Sequence, residues 1–368
     1  MKVCVVSLSL ASYFDPDPRA AYSGAEVQAA FLAGALAASG VEVSLVVANL
    51  RDGLTLPFPA HNAFHRDVGL PGLRFFHPRL SGILGALEAA DADVYHQHCA
   101  GMITGVTAMF CRRRHRVFVY GAGSDTDFSW RSVRMHGLRD RALYWAGLRL
   151  AHGVVAQNSG QETAARRTLR CPVRTIATGV PRAHAANQVG DGPVLWMGGL
   201  RAVKRPELFI ELARRTPAAR FCLVGGPIGT EPGFARGVTG SATGVPNLEL
   251  TGWLPHPETL RLLRGAALLV NTSRVEGFPN AYLEAWSHGV PVVSFNDVDG
   301  LIAGEGLGVV CDDIDGMARA VGALLGEPER RRAMGARARA LVESRFSEGV
   351  LGPRYVAFFE ELIRARSR

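Results

Sequence analysis

The sequence predicts an α/β protein built from two doubly wound, Rossmann-like domains facing each other across a cleft, and three observations carry that prediction. Short β-branched runs alternate with helical patterns along the whole chain, as in parallel sheets covered by helices on both faces. The 368 residues are 48% hydrophobic and 20% charged, enough for two apolar cores of ordinary size. Between the halves, Gly179-Val-Pro-Arg-Ala-His-Ala-Ala-Asn-Gln-Val-Gly-Asp-Gly-Pro193 is rich in turn residues and lacks a sustained apolar period, so it reads as a linker.

Taken in order, the strands of the first half should end near Ser9, Ala48, His98, Tyr120 and Gln157. Those of the second should occupy about 194–198, 220–225, 248–251, 267–271 and 291–295. Amphipathic helices over about 328–344 and 354–366 close the chain, which gives a domain of 1–183, a domain of 184–350 and a terminal segment of 351–368. In such sheets, ligands sit outside the carboxyl ends of the strands.

The apolar start Val3-Cys-Val-Val-Ser-Leu-Ser-Leu10 follows Lys2 as a signal sequence would, but it runs into Asp15 and Asp17 without a cleavage site and reads as the first strand. No apolar run approaches the roughly 20 residues of a membrane span. The six cysteines, Cys4, Cys99, Cys111, Cys171, Cys222 and Cys311, are scattered without metal or disulfide spacing, and a reducing cytoplasm fits them. Net charge is +8, and residues 1–183 carry 20 Arg and Lys against 13 Asp and Glu while the remainder carries 21 against 20. The excess therefore belongs to the first half. It favours a phosphate-bearing ligand or an anionic membrane at the inner face, through Arg112 to Arg116 and the Arg131–His152 segment. The bland alternative, which is favoured, is that the face bearing Trp145 simply packs inside. Nothing points to nucleic acid.

The densest chemistry lies in Arg274-Val-Glu-Gly-Phe-Pro-Asn-Ala-Tyr-Leu-Glu-Ala-Trp-Ser-His-Gly-Val-Pro-Val-Val293. Pro279 suits a first helical turn, Gly289 a C-terminal cap, and Pro291 cannot continue the helix, so a helix should run over about 279–288. Glu276 then precedes it and Glu284 lies little more than a turn inside. The backbone N–H groups of Gly277, Phe278, Asn280 and Ala281 gather at the positive end of the helix dipole. An anion flanked by hydroxyls suits this arrangement: a carboxylate accepts from two adjacent hydroxyls, so one Glu suits a ribose diol, the other a hexose, and a diphosphate lies between.

That segment resembles the Glu-x7-Glu donor-site motif of retaining glycosyltransferases of the GT-B fold, family 4. Val194-Leu-Trp-Met-Gly-Gly-Leu-Arg-Ala-Val-Lys-Arg-Pro-Glu-Leu-Phe-Ile-Glu-Leu-Ala213 is similar to the family's diphosphate-binding strand, turn and helix, and Ser23-Gly-Ala-Glu-Val-Gln28 to its glycine loop, with Gly24 its glycine. The resemblance implies a GT-B fold with an acceptor-binding first domain, a donor-binding second domain and a last helix crossing back to the first. It also implies that Gly252, Trp253 and Leu254 line the base pocket. Trp253 suits stacking on a base or filling the core equally. The residues do not distinguish uracil, guanine and adenine, and a UDP-sugar is the favoured donor.

Lys2 and Lys204 are the only lysines. Lys204, just past the Gly198-Gly199 turn, is suited to phosphate oxygens as a mobile charge. The family commonly has Gly-Arg-Leu where this chain has Gly198-Gly199-Leu200, so Arg201 is a candidate replacement. In the first half, strands ending at His98 and before Ser124 and Asp125 direct those residues toward the cleft. The family's usual cleft histidine is absent from Gly121-Ala-Gly-Ser-Asp125, leaving Asp125 as its substitute or as a helix N-cap. Asp-x-Asp patterns begin at Asp15, Asp91, Asp125 and Asp297, in unlike contexts, and no metal is expected.

The expected reaction is hexosyl transfer from a nucleotide diphosphate sugar, as co-substrate, to a hydroxyl acceptor, whether glycan, lipid-linked or natural product. It proceeds with retention and needs no separate cofactor. Catalytic candidates are Glu276, Lys204, Asp125 and His98. A non-hydrolysing sugar-nucleotide epimerase of the same architecture, or a non-catalytic sugar-nucleotide binding module, remain the alternatives.

Overall fold

Strand β1, Lys2–Val6, sends Val3 and Val5 into one apolar layer and Cys4 and Val6 into another, because successive side chains of a strand point to opposite faces of the sheet. A strand buried on both faces belongs to a parallel sheet covered by helices. The computed structural model describes residues 1–17, 22–69, 74–130, 133, 137–181, 190–227, 231–273 and 275–366. The chain divides into two units. The first is Met1–Asp15, Gly24–Pro181 and Glu348–Arg368; the second is Pro16–Ser23 and Arg182–Ser347.

After β1 the first unit continues with α1 (Ala11–Phe14), α2 (Gly24–Ala38), β2 (Glu42–Val47), β3 (Ala60–Asn62), α3 (Ser81–Ala90), β4 (Val94–His98), α4 (Met102–Arg113), β5 (Val117–Gly121), α5 (Leu138–Leu150), β6 (Gly153–Ala156), α6 (Ser159–Thr168) and β7 (Val173–Thr175). Among the described residues its strands form one parallel sheet in the order β3-β2-β1-β4-β5-β6-β7. Order reverses between β1 and β4, so the carboxyl ends of those strands frame the place where such sheets bind ligands.

The second unit runs β8 (Val194–Met197), α7 (Pro206–Arg215), β9 (Phe221–Val224), α8 (Pro232–Ala242), β10 (Leu248–Gly252), α9 (His256–Gly265), β11 (Leu268–Asn271), α10 (Asn280–Ser287), β12 (Val292–Ser294), α11 (Leu301–Gly304), β13 (Gly308–Val310), α12 (Ile314–Gly326) and α13 (Pro328–Arg345). Its sheet has the order β10-β9-β8-β11-β12-β13, all pairs parallel, with the reversal between β8 and β11. The last helix, α14 (Glu348–Arg366), belongs to the first unit. Leu351, Tyr355, Phe358, Phe359 and Leu362 join the apolar layer that holds Val3 and Val5.

The structure departs from the sequence reading where elements are short or where packing overrides a local signal. Strands β3, β7 and β13 went unread. Each has three residues and lies at a sheet edge, too short for a period-2 signal. Helix α14 begins at Glu348 rather than near 354 and carries Pro353 inside it, because its buried apolar stripe holds the turn that proline alone would break. Within the Arg131–His152 segment Tyr144, Trp145 and Leu148 are buried, so the face bearing Trp145 packs inside. Arg131 and the residues 134–136 of that segment, most of the linker (182–189) and Arg274 lie outside the described residues. Among the described residues no helix is long and apolar enough to cross a membrane.

Candidate active site

The chain leaves β8 at Met197, turns through Gly198 and Gly199, and makes a single helical turn over Ala202–Lys204 before α7. That turn is fastened to the end of β11. The buried Thr272 hydroxyl reaches the carbonyl oxygens of Lys204 at 2.8 Å and Arg205 at 2.9 Å, and accepts the indole N–H of Trp196 at 3.0 Å. Arg205 takes a left-handed conformation, φ 51°, and its guanidinium lies over the Phe295 ring at 5.5 Å. The result aims the Lys204 ammonium at Glu276, whose two oxygens accept from Nζ at 2.6 and 2.7 Å. Asn271, the last residue of β11, donates Nδ2–H to Glu276 Oε1 at 3.2 Å, while its Oδ1 accepts the Ser273 N–H at 2.8 Å. The structure therefore brings together two residues that sequence assigned to different parts of a donor, at the point where strand order reverses.

Around the turn, strand ends approach closely. A Cβ on Gly225 would lie 1.8 Å from the Gly198 carbonyl oxygen, and one on Gly226 would lie 2.6 Å from the Trp253 ring. These glycines thus serve contact between backbone and neighbouring residues. Trp253 is neither core nor open: it is half-buried and donates its indole N–H to the Pro227 carbonyl at 3.2 Å. Gly252 has φ +71°, and Leu254 beside it is half-buried. Arg201, the candidate for the arginine missing at Gly199, sits with Nε 3.9 Å from Glu231, whose other oxygen accepts the Ala202 N–H at 2.8 Å. Sequence reasoning missed Glu231, Thr272 and Asn271.

Helix α10 starts at Asn280, with Pro279 as the residue before it, and ends at Ser287, beyond which Gly289 takes φ +75°, a conformation that admits glycine without strain. Phe278 is buried against the Phe346 ring, centroids 5.4 Å apart, which fixes the chain entering the helix; Gly277 and Ala281 are half-buried beside it. Glu284 is buried, and its Oε1 lies 2.8 Å from Nε2 of His256 at the start of α9. His256 was not anticipated as its partner. His288 reaches the Glu284 carbonyl through Nδ1 at 2.8 Å, and burial lowers its pKa.

The first unit holds His98, Asp125 and Gly24. Gly24 is the first residue of α2. His98 lines a recess with Gln28, His96, Gln157, Thr178 and Tyr355, and burial pulls its pKa down to about 4, opposed by nearby Glu26. His96 is buried, neither ring nitrogen has a hydrogen-bond partner, and burial lowers its pKa to about 3. Asp125 is not a helix N-cap. Its Oδ1 accepts from Asn158 Nδ2 and Gln161 Nε2, both at 3.1 Å, because the N-terminus of α6 rather than a following helix meets this loop. The loop is shaped by Asp127, whose Oδ2 accepts from Tyr120 Oη at 2.7 Å and from the N–H groups of Gly123 and Ser124; burial raises its pKa.

The four leading aspartates of the Asp-x-Asp patterns are each engaged with a different partner. Asp15 pairs with Arg51 and Asp91 with Arg116, Asp125 is held as above, and Asp297 accepts from the N–H groups of Ile302 and Ala303. Among the described residues no three His, Cys, Asp or Glu side chains converge.

Residues 192–327 match the family described as glycosyl transferases group 1. Over 175 residues the chain is 34% identical to a D-inositol 3-phosphate glycosyltransferase of Nocardia farcinica, covering 43% of this chain and 39% of that protein. Over 118 residues it is 33% identical to a GDP-mannose-dependent monoacylated alpha-(1-6)-phosphatidylinositol monomannoside mannosyltransferase of Corynebacterium glutamicum, covering 29% of this chain and 31% of the relative. The chain thus spans well under half the length of the curated relatives it matches. Among solved structures, sucrose-phosphate synthase of Thermosynechococcus elongatus superposes with a TM-score of 0.73 at 19% identity over 99% of this chain and all of that one. HepE of Anabaena in complex with UDP-glucose gives 0.73 at 15% over 98% and 100%. These likenesses establish the GT-B fold.

Proposed function

We infer that this chain, whose residues 192–327 carry the group 1 glycosyl transferase domain, is a retaining glycosyltransferase that moves a hexosyl unit from a nucleoside diphosphate sugar to a hydroxyl acceptor. The observation that carries the reading is the Lys204–Glu276 pair at the strand-order reversal of the second sheet. Part of Lys204 is open to solvent and to an incoming anion, while Glu276, 8% exposed, must exchange the ammonium for other donors. A diphosphate takes the ammonium, and Glu276 turns to the sugar hydroxyls.

In this reading residues 184–350 hold the donor and 1–183 the acceptor. The backbone N–H groups of Gly277, Phe278, Asn280 and Ala281, at the start of α10, face the phosphates. Gly198 and Gly199 let the diphosphate approach, Arg201 adds charge, Gly252 to Leu254 border the base and Glu284 takes the ribose diol; Gly24 is a further donor-binding candidate. The acceptor oxygen forms a bond to the anomeric carbon as the bond to the phosphate oxygen breaks. The electron pair leaves with the diphosphate, and the acceptor proton goes to it. His98 and Asp125 bind the acceptor hydroxyl. Lys204 and the α10 dipole neutralise the charge that develops, a role preorganised groups fill at about 3–4 kcal/mol each, so neither a metal nor a further cofactor is needed.

A UDP-sugar is the favoured donor. HepE in the comparison above is bound to UDP-glucose, while one relative is named GDP-mannose-dependent, so both belong in the test. Incubation with a panel of UDP- and GDP-sugars, with and without hydroxyl acceptors and followed by mass spectrometry, should show release of the nucleoside diphosphate with sugar transfer or slow hydrolysis. Interconversion of the donor sugar would indicate an epimerase, and binding without turnover a binding module. We further propose a cytoplasmic protein. Peripheral contact with an anionic membrane through the Arg131–His152 segment is the weaker reading, since Tyr144, Trp145 and Leu148 are buried.

A further inference from the structure

Glu284 has a neighbour that its proposed role does not use. His256 opens α9 directly after Pro255, and its Nε2 lies 2.8 Å from Glu284 Oε1; the two side chains are 10% and 7% exposed. A buried carboxylate without a donor is costly and free to rotate, whereas one charge-assisted hydrogen bond satisfies an oxygen and fixes the plane of the group. The imidazole plane is itself fixed. The Tyr22 ring meets it edge-on, centroids 5.9 Å apart at 86°, and the Tyr22 hydroxyl bonds to Thr259, the residue one turn along α9. Tyr22, His256, Thr259 and Glu284 all belong to the second unit.

We propose that His256 is a positioning residue that orients Glu284 to read a vicinal diol, and so makes the site select ribonucleotides over 2′-deoxyribonucleotides. It rests on the reading of Glu284 as the ribose acceptor. The argument is geometric. Two adjacent hydroxyls on a five-membered ring need both carboxylate oxygens presented in one plane. Holding Oε1 from behind with a rigid ring sets that plane and leaves the remaining lone pairs for the two hydroxyls. Without the imidazole, Glu284 rotates, and the gain from the second hydroxyl falls away while the phosphate contacts remain. Discrimination between ligands differing by one hydroxyl is built in this way, by polar groups that the poorer ligand leaves unpaired.

The test is calorimetric binding of UDP, GDP and their 2′-deoxy forms to the wild type and to His256→Leu, His256→Gln and Glu284→Gln, each checked for a wild-type melting profile. Whichever base binds is carried through. His256→Leu should weaken ribonucleotide binding about tenfold and bring the ribo-to-deoxyribo affinity ratio close to one, and with a donor sugar it should raise KM while kcat stays within about twofold. His256→Gln, which keeps a donor of similar reach, should restore most of the ratio. If His256→Leu keeps both the affinity and the ratio while Glu284→Gln loses them, the role of His256 is overturned and that of Glu284 stands. If Glu284→Gln also binds as the wild type does, the ribose reading falls with it.

Discussion

In the second unit Lys204 faces Glu276, Arg201 faces Glu231 and His256 faces Glu284; in the first, His96 and His98 are driven toward their neutral forms by burial, and Asp127 is held by neutral donors. At one set of strand ends Lys204 and Arg201 stand opposite carboxylates, whereas at the other burial disfavours the charged forms of His96, His98 and Asp127. Both solve the same problem, because an isolated ion in a low-dielectric interior is expensive. They suit different ligands. Paired charges re-pair with a diphosphate, whereas neutral polar groups suit hydroxyls, whose binding brings no charge to compensate. On the proposed reading the contrast teaches that the positive excess of the first half does not mark the anion site, because Lys204 lies in the half carrying 21 basic residues against 20 acidic ones.

The contrast breaks most visibly at Lys204. Lys204→Ala should lower kcat by about 10²–10³, equivalent to about 3–4 kcal/mol, because it removes the leaving-group partner and strands Glu276. Donor turnover under saturating donor measures it, and a loss below tenfold would shift the charge compensation to another group. Glu276→Ala should likewise reduce turnover more than thermal stability, and Glu284→Ala should weaken nucleotide binding. Full activity in both variants contradicts the donor-site reading.

The first unit makes the opposite prediction, in stability against pH. The pKa of His96, lowered to about 3 from the usual 6.5, favours the folded state fully above about pH 6.5. That contribution is lost as pH falls toward 3, because the unfolded chain then binds the proton first. Chemical denaturation between pH 7 and 5 should therefore show stability falling by about 1 kcal/mol per pH unit on account of this residue, and His96→Phe should flatten the slope. An unchanged slope would mean that the ring is charged or solvated in the fold.

Smaller effects sharpen the comparison. Arg201→Ala should cost less than about tenfold in turnover, since Arg201 is half-exposed and already opposed by Glu231; a loss equal to that at Lys204 would show that Arg201 replaces the arginine absent at Gly199. Flotation with anionic vesicles at low salt should recover little protein, since Tyr144, Trp145 and Leu148 pack inside; recovery at low salt that high salt abolishes would restore the membrane surface. No flotation at low salt removes the membrane surface.

How much of this was legible depended on sequence distance. The spacing of Glu276 and Glu284, the turn residues around them and the rarity of lysine are local features, and the strand, turn and helix read around them are present in the fold. The partners were not local. Trp196 and Thr272 are 76 residues apart and Thr272 and Lys204 68, joined by the crossover from β8 to β11. His256 meets Glu284 only because α9 packs beside α10. Asp127 had a weak signal, an acid two residues past the assigned Asp125, but its burial is set by Tyr120 and Tyr144 behind it, and no period reports that.

Because Lys2 and Lys204 are the only lysines, the exchange at the centre of the account can be watched directly. Protein labelled with ¹³C and ¹⁵N at lysine alone should give two side-chain signal sets, assigned by Lys204→Arg. On titration with UDP or GDP, the Lys204 signal should move and saturate along the calorimetric binding curve while Lys2 stays still, as the ammonium leaves Glu276 for the diphosphate. A nucleotide that binds by calorimetry and leaves the Lys204 signal in place would contradict the exchange, and with it the site proposed for the reaction.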